Sequence, residues 1–144
     1  MKHNIVIPLH HKGGRYKNNR ELRYCLRAIA KNFKDDYKVT IIGRVLPEWI
    51  KDVDHIPCRQ GLKTALRVAA DSFPDGFFWL SDDCVILRPV TGKEMKVTPC
   101  SSRLKDNFKT KWSRSLVKIR DRLIEEGYEA WDYSRPHGPY WYDK

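Results

Sequence analysis

Residues 77–80 read Phe-Phe-Trp-Leu, an uninterrupted apolar run that stops abruptly at Ser81-Asp82-Asp83. A run this short, preceded by the turn signal Pro74-Asp75-Gly76, fits a fully buried strand. Residues 4–9, rich in β-branched side chains and ended by Pro8 and a polar loop, read the same way. So do 38–42, stopped by Gly43, and the short stretch 54–57. Between these runs the periodicity becomes helical. Leu22, Cys25, Leu26, Ile29 and Phe33 share one face of a helix predicted over 20–33, with Asn19 as its N-cap. Leu62, Ala65, Leu66, Ala69 and Phe73 do so over 62–73, where Gly61 opens the helix. Strands alternating with helices predict an α/β domain with a mostly parallel sheet flanked by helices.

The remaining stretches are less regular. Residues 47–50 read as a single helical turn with Pro47 at its first position, and 84–87 resume the apolar run. Residues 91–107 read as loop with one strand near Val97. A long amphipathic helix is predicted over 111–126, with Trp112, Leu116, Ile119 and Leu123 inward and Gly127 as its stop. The tail, 128–144, is aromatic and reads as irregular.

The 144 residues and 17.0 kDa suit one domain over 1–144. With 41% hydrophobic and 32% charged residues, a core forms and disorder is excluded as the dominant state. No apolar run approaches the ~18 residues needed to span a bilayer. The apolar part of the N-terminus is too short for a signal peptide. A soluble, cytoplasmic protein is the expectation. The four cysteines, Cys25, Cys58, Cys84 and Cys100, contain no C-x-x-C pair, which argues against a zinc site or redox dithiol. Free thiols are expected, with Cys25 and Cys84 at core positions.

Charge narrows the partners. The net is +10, and it is segregated: residues 1–34 carry +8 and residues 103–122 carry +6, which leaves the remainder at −4. Two basic segments on an otherwise acidic body suit a polyanionic or phosphate-bearing partner.

Three local patterns carry candidate chemistry. Asp82-Asp83 follow a buried strand directly, at the end of the sheet where ligands bind in open α/β folds. Paired carboxylates there are relieved by solvent or by a hard cation such as Mg²⁺ or Mn²⁺. The loop 8–19 is basic and contains Gly13-Gly14. It is neither a Walker A nor a G-x-G-x-x-G sequence, but Arg15, Lys17 and Arg20 near a helix N-terminus suit a phosphate group. Finally, Arg135-Pro136-His137-Gly138-Pro139 holds His137 in a rigid extended segment. His137 there is a metal ligand, a general base or a surface residue, and His10-His11 end the first strand.

These patterns occur in an order that resembles GT-A-type nucleotide-sugar glycosyltransferases of bacteria and phages, the Stealth-like and capsule-sugar transferases. Asn4-Ile5-Val6-Ile7-Pro8 is similar to the family's first strand, and 18–29 to its "N-x-E-L-R-Y-S-L-R-S-I" helix. Val39-Thr40-Ile41-Ile42-Gly43 with Pro47-Glu48-Trp49 resembles "V-x-I-V-G…P-x-W-L", and His55-Ile56-Pro57 follows in the family's place. Residues 78–90 resemble "L-M-N-D-D-F-F-I-L-K-P". Residues 133–144 resemble "Y-D-x-H-x-P-x-x-x-x-K", with His137, Pro139 and Lys144 matching. Ser81 and Cys84 depart from the pattern, Tyr133 lies one position further from the histidine, and relatives run on for several more helices.

The resemblance implies a minimal GT-A-like (Rossmann-like) domain that transfers a sugar from a nucleotide-diphosphate sugar to an acceptor hydroxyl. Asp82 and Asp83 become the metal- and phosphate-binding carboxylates, with Mn²⁺ or Mg²⁺ as cofactor. Pro8, His10, Arg15, Arg23, Arg27, Lys63 and Arg67 become candidates for the donor, and His137 for the catalytic base, with Asp83 beside it in catalysis. The charge adds an expected polyanionic acceptor, DNA with a hydroxylated base or a phosphate-rich glycan. The aromatic tail (Trp131, Tyr133, Tyr140, Trp141, Tyr142) packs either in the core or against a second copy in a homo-oligomer. The alternative classes are a non-catalytic nucleic-acid-binding module and a metal-dependent nuclease or phosphoesterase.

Overall fold

A computed structural model of the chain describes residues 2–9, 19–96, 100–103, 109–128, 131–133 and 139–143. Packing divides the chain into two compact units, residues 1–97 with 137–144 and residues 98–136.

The first unit is built on strands β1 (His3–Leu9), β2 (Tyr37–Gly43), β3 (Asp54–Pro57), β4 (Phe77–Trp79) and β7 (Tyr140–Tyr142), in the spatial order β3-β2-β1-β4-β7. All neighbours are parallel except β4 and β7. Helices α1 (Arg20–Asn32) and α2 (Leu62–Ser72) form the crossovers, and the short α3 (Gly92–Lys96) follows β4. This is the expected α/β architecture with a mostly parallel sheet flanked by helices.

Period-two alternation explains why both faces are covered. Ile5, Ile7 and Leu9 of β1 point to one face and pack with Leu22, Cys25 and Ile29 of α1, together with Phe78 and Leu80. Val6 points to the other and packs with Ala65 and Ala69 of α2, together with Ile42, Phe77 and Trp79. The apolar run of 77–80 therefore serves two cores at once, which is why it tolerates no polar residue. Leu80 lies beyond β4 yet continues its pairing, donating its N–H to the Val6 carbonyl at 3.0 Å.

Several local expectations are corrected. Asn19 is the N-cap residue of α1, as expected, but it stands in the left-handed conformation (φ 53°) and makes no side-chain cap bond. Its Oδ1 is buried without a hydrogen-bond partner among the described residues. Residues 47–50 form a turn closed by Ile50 N–H donating to the Pro47 carbonyl at 3.0 Å, not a helical turn. Residues 84–87, where the apolar run resumes, lie outside the sheet, and Leu87 is 89% exposed. Leu62 is exposed rather than inward, whereas Ala65 and Ala69 of the same predicted face are buried.

Residues 91–96 were expected to be loop and instead contain α3, held by a reciprocal cap. Thr91 N–H donates to Glu94 Oε2 at 2.8 Å, and Glu94 N–H donates to Thr91 Oγ1 at 3.3 Å. The tail is likewise not irregular throughout, since β7 adds an antiparallel edge to the sheet. Trp141 packs on Phe78 with ring centroids 4.8 Å apart, and Tyr142 stacks on Phe77 at 5.4 Å. These two aromatic residues therefore pack inside the chain.

The second unit contains β5 (Cys100–Arg103), α4 (Lys111–Glu125) and β6 (Trp131–Tyr133), with β5 and β6 paired antiparallel. The α4 stripe is rotated from the expected one. Val117 is buried and Ile119 is exposed, because Leu116, Arg120 and Leu123 flank Val117 and leave Ile119 on the outer side. Gly127 ends the helix with φ 84°, as its lack of a side chain allows. Val97, Trp112 and the Cys100 side chain lie outside what is described.

Among the described residues, no helix is long and apolar enough to cross a membrane. Cys25, Cys58 and Cys84 are free thiols, as expected.

Candidate functional site

A cavity of about 290 Å³ opens at the carboxyl ends of the parallel strands. In this sheet β1 is flanked by β2 on one side and β4 on the other, so the crossovers run in opposite directions from it. That reversal is where open α/β sheets part their loops and accept ligands.

The floor comes from Pro8 and Leu9 at the end of β1 and from Ile42 and Gly43 at the end of β2. Gly43 is required by closeness: a Cβ there would lie 2.9 Å from the Leu9 carbonyl oxygen. The Gly43 carbonyl in turn fixes the next loop. It accepts the Cys58 N–H at 3.0 Å and lies 2.9 Å from His55 Nε2, which donates to it in the matching tautomer.

One wall is the loop from β3 into α2, with Arg59, Gln60, Gly61 and Leu62. Gly61 caps α2 without a side chain, and the first turn has no acidic residue. Thr64 Oγ1 donates to Gln60 Oε1 at 3.0 Å and braces this loop. The positive end of the helix dipole and Arg59 thus stand at the cavity together.

Ser81 and Asp82, just past β4, supply the other wall. Their turn is closed by the Cys84 N–H donating to the Ser81 carbonyl at 3.0 Å. The Cys25 thiol on α1 reaches the same carbonyl at 3.7 Å. Asp82 is half-buried and Asp83 beside it is exposed. The Cys25 thiol is pushed up to about 12, first by burial and then by Cys84, Asp82 and Asp83 nearby. Cys84 is also raised, by burial first and then by Asp83. A thiol held so far from ionisation anchors α1 to the acidic turn and is no nucleophile.

The fold therefore brings Pro8 and Asp82 to one cavity, with Asp83 next to it. It does not bring Arg23 and Arg27 there; they line a separate depression beside Trp49. Lys63 and Arg67 are on α2 but are exposed and do not line the cavity. His10, Arg15 and His137, with His11 and Lys17, lie outside the described residues. Arg59 and Gln60 escaped the sequence reading. Their signal was a basic residue two positions ahead of a glycine that opens a helix.

The two carboxylates suit a hard cation in one specific way. Among the described residues, no group of three or more His, Cys, Asp or Glu side chains could hold a metal ion. Asp82 and Asp83 would supply one or two oxygens, and ligand phosphates and water the rest, as Mg²⁺ commonly prefers.

No protein-family model matches the sequence, and no curated protein matches it. Among solved structures, the chain is similar to the apo-form glycosyltransferase GlyE of Streptococcus pneumoniae TIGR4, at 14% identity and a TM-score of 0.43. The similarity covers 90% of this chain and 41% of that one, so this chain spans less than half of its neighbour's length.

Proposed function

We propose that this chain is a metal-assisted glycosyltransferase that moves a sugar from a nucleotide-diphosphate sugar to an acceptor hydroxyl. The observation that carries the reading is the two-sided cavity at the strand ends, with Asp82 on one wall and Arg59 and the N-terminus of α2 on the other. A diphosphate is a ligand that needs both sides. Its oxygens suit the helix N-terminus and the guanidinium, and its remaining charge suits a cation held by Asp82 and Asp83. The motif resemblance supports the same reading.

A bound Mg²⁺ or Mn²⁺ would supply charge neutralisation of the departing diphosphate. The chain's own residues do the rest. Leu9 and Gly43 close the floor and limit water, while Arg59 and the α2 terminus hold the leaving group in place. The acceptor oxygen forms a bond to the anomeric carbon, the bond from that carbon to the diphosphate oxygen breaks, and the acceptor proton passes to a base. His137 is the base we propose for an inverting reaction. The basic segments support a polyanionic acceptor, DNA with a hydroxylated base or a phosphate-rich glycan.

The test is release of nucleotide diphosphate from a panel of nucleotide-sugars, each with Mn²⁺ and with chelator. Metal-dependent release from one donor, lost in Asp82→Ala and Asp83→Ala, is expected. Cleavage of nucleic acid that requires Asp83, with no release from any donor, would replace the reading with a phosphoesterase.

A further inference from the structure

A second depression, of about 330 Å³, is lined by Arg23, Leu26, Arg27, Trp49, Ile50 and Lys51. It lies between the outward side of α1 and the turn after β2, and it shares no lining residue with the strand-end cavity. Three cations converge on it. None of the three has a carboxylate ion pair among the described residues, although Glu48 and Asp52 are close in sequence. Arg23 instead holds its guanidinium 4.6 Å from the centre of the Trp49 ring. Trp49 packs against the main core, so that arginine is seated on a fixed indole.

Like charges gathered with no ion pair among the described residues repel one another, and an anion in the depression relieves that repulsion. Arginine forks match phosphate oxygens in two-point contacts. A guanidinium already stacked on an indole offers a further base a plane to stack on. We infer that this depression binds a nucleotide unit of a single-stranded nucleic acid. Its phosphate meets Arg27 and Lys51, and its base stacks on the Arg23–Trp49 pair. The inference rests on the transferase reading only in making that strand the acceptor; the binding itself stands on the depression alone.

The test is fluorescence anisotropy of a fluorescein-labelled single-stranded oligodeoxynucleotide, without donor or metal, across a salt series. The wild-type chain is expected to bind with salt-sensitive affinity. Arg23→Gln and Trp49→Leu are each expected to weaken binding about tenfold, the scale of losing one stacked base. Trp49 touches the core, so Arg27→Glu provides a surface variant with the same expected direction, its fold checked by circular dichroism. Lys93→Gln, an exposed cation on α3 that does not line the depression, is expected to stay within about twofold, as a lost rim charge is weakly felt.

Three results would overturn the inference: no binding by the wild type, an equal loss in Lys93→Gln, or displacement of the oligonucleotide by an acidic polysaccharide at lower concentration than by unlabelled strand. Donor binding is measured separately by thermal shift, so failure here and failure of the transferase reading are distinguishable.

Discussion

The thiol of Cys25, buried in α1, lies 3.7 Å from the carbonyl oxygen of Ser81, the residue just before the paired carboxylates. The same oxygen accepts the Cys84 N–H at 3.0 Å. One carbonyl thus closes the acidic turn on itself and ties it to the helix beneath. The position of Asp82 at the cavity wall is set by the core as much as by the loop.

That tie has a pH signature. In the unfolded chain the Cys25 thiol ionises near its ordinary value of 9.0, whereas in the fold it is pushed up to about 12. Between those values the native state binds more protons, so stability is fully present below about pH 9 and falls as pH rises toward 12. Urea denaturation at increasing pH should show this fall, and Cys25→Ala should show a shallower one. Iodoacetamide at pH near neutral should modify the half-buried Cys58 well before Cys25.

Gly43 offers a steric test of the cavity floor. A methyl group there meets the Leu9 carbonyl at 2.9 Å, and backbone cannot swing aside as a side chain can. Gly43→Ala is expected to cost about 1–3 kcal/mol in denaturant titration, the range for overpacking a well-filled site. It should also weaken ligand binding at the strand-end cavity, since both residues line it.

The cationic side of the cavity separates two sets of residues. Arg59 lines it, whereas Lys63 and Arg67 on α2 do not. Arg59→Gln is expected to weaken nucleotide-diphosphate binding about tenfold, equivalent to one charge-assisted hydrogen bond. Lys63→Gln and Arg67→Gln are expected to stay within about twofold. Isothermal titration with the diphosphate compares them directly.

What the sequence revealed follows from how locally each element is specified. Strands β1 and β4 were legible because buried strands leave uninterrupted apolar runs, and α1 because Leu22, Cys25 and Ile29 recur at helical spacing. Helix α3 escaped, although Thr91-Gly92-Lys93-Glu94 spells the capping pattern that holds it, because five residues carry almost no periodicity. Strand β7 escaped for another reason: its place beside β4 depends on aromatic contacts made by Trp141 and Tyr142 to residues far away in sequence. At the site, strand ends pointed to Pro8 and Asp82. The helix register set Arg23 and Arg27 off the apolar face, but only the turn after β2 showed that Trp49 waits beside them.

The account stands most directly on binding at the strand-end cavity. A thermal-shift panel of nucleotide-sugars and nucleotide diphosphates, each with Mn²⁺ and with chelator, measures it. The account predicts a rise in Tm with one nucleotide that requires metal and disappears in Asp82→Ala and Asp83→Ala. A folded protein that shifts with no nucleotide, or that shifts equally in both variants, would contradict it.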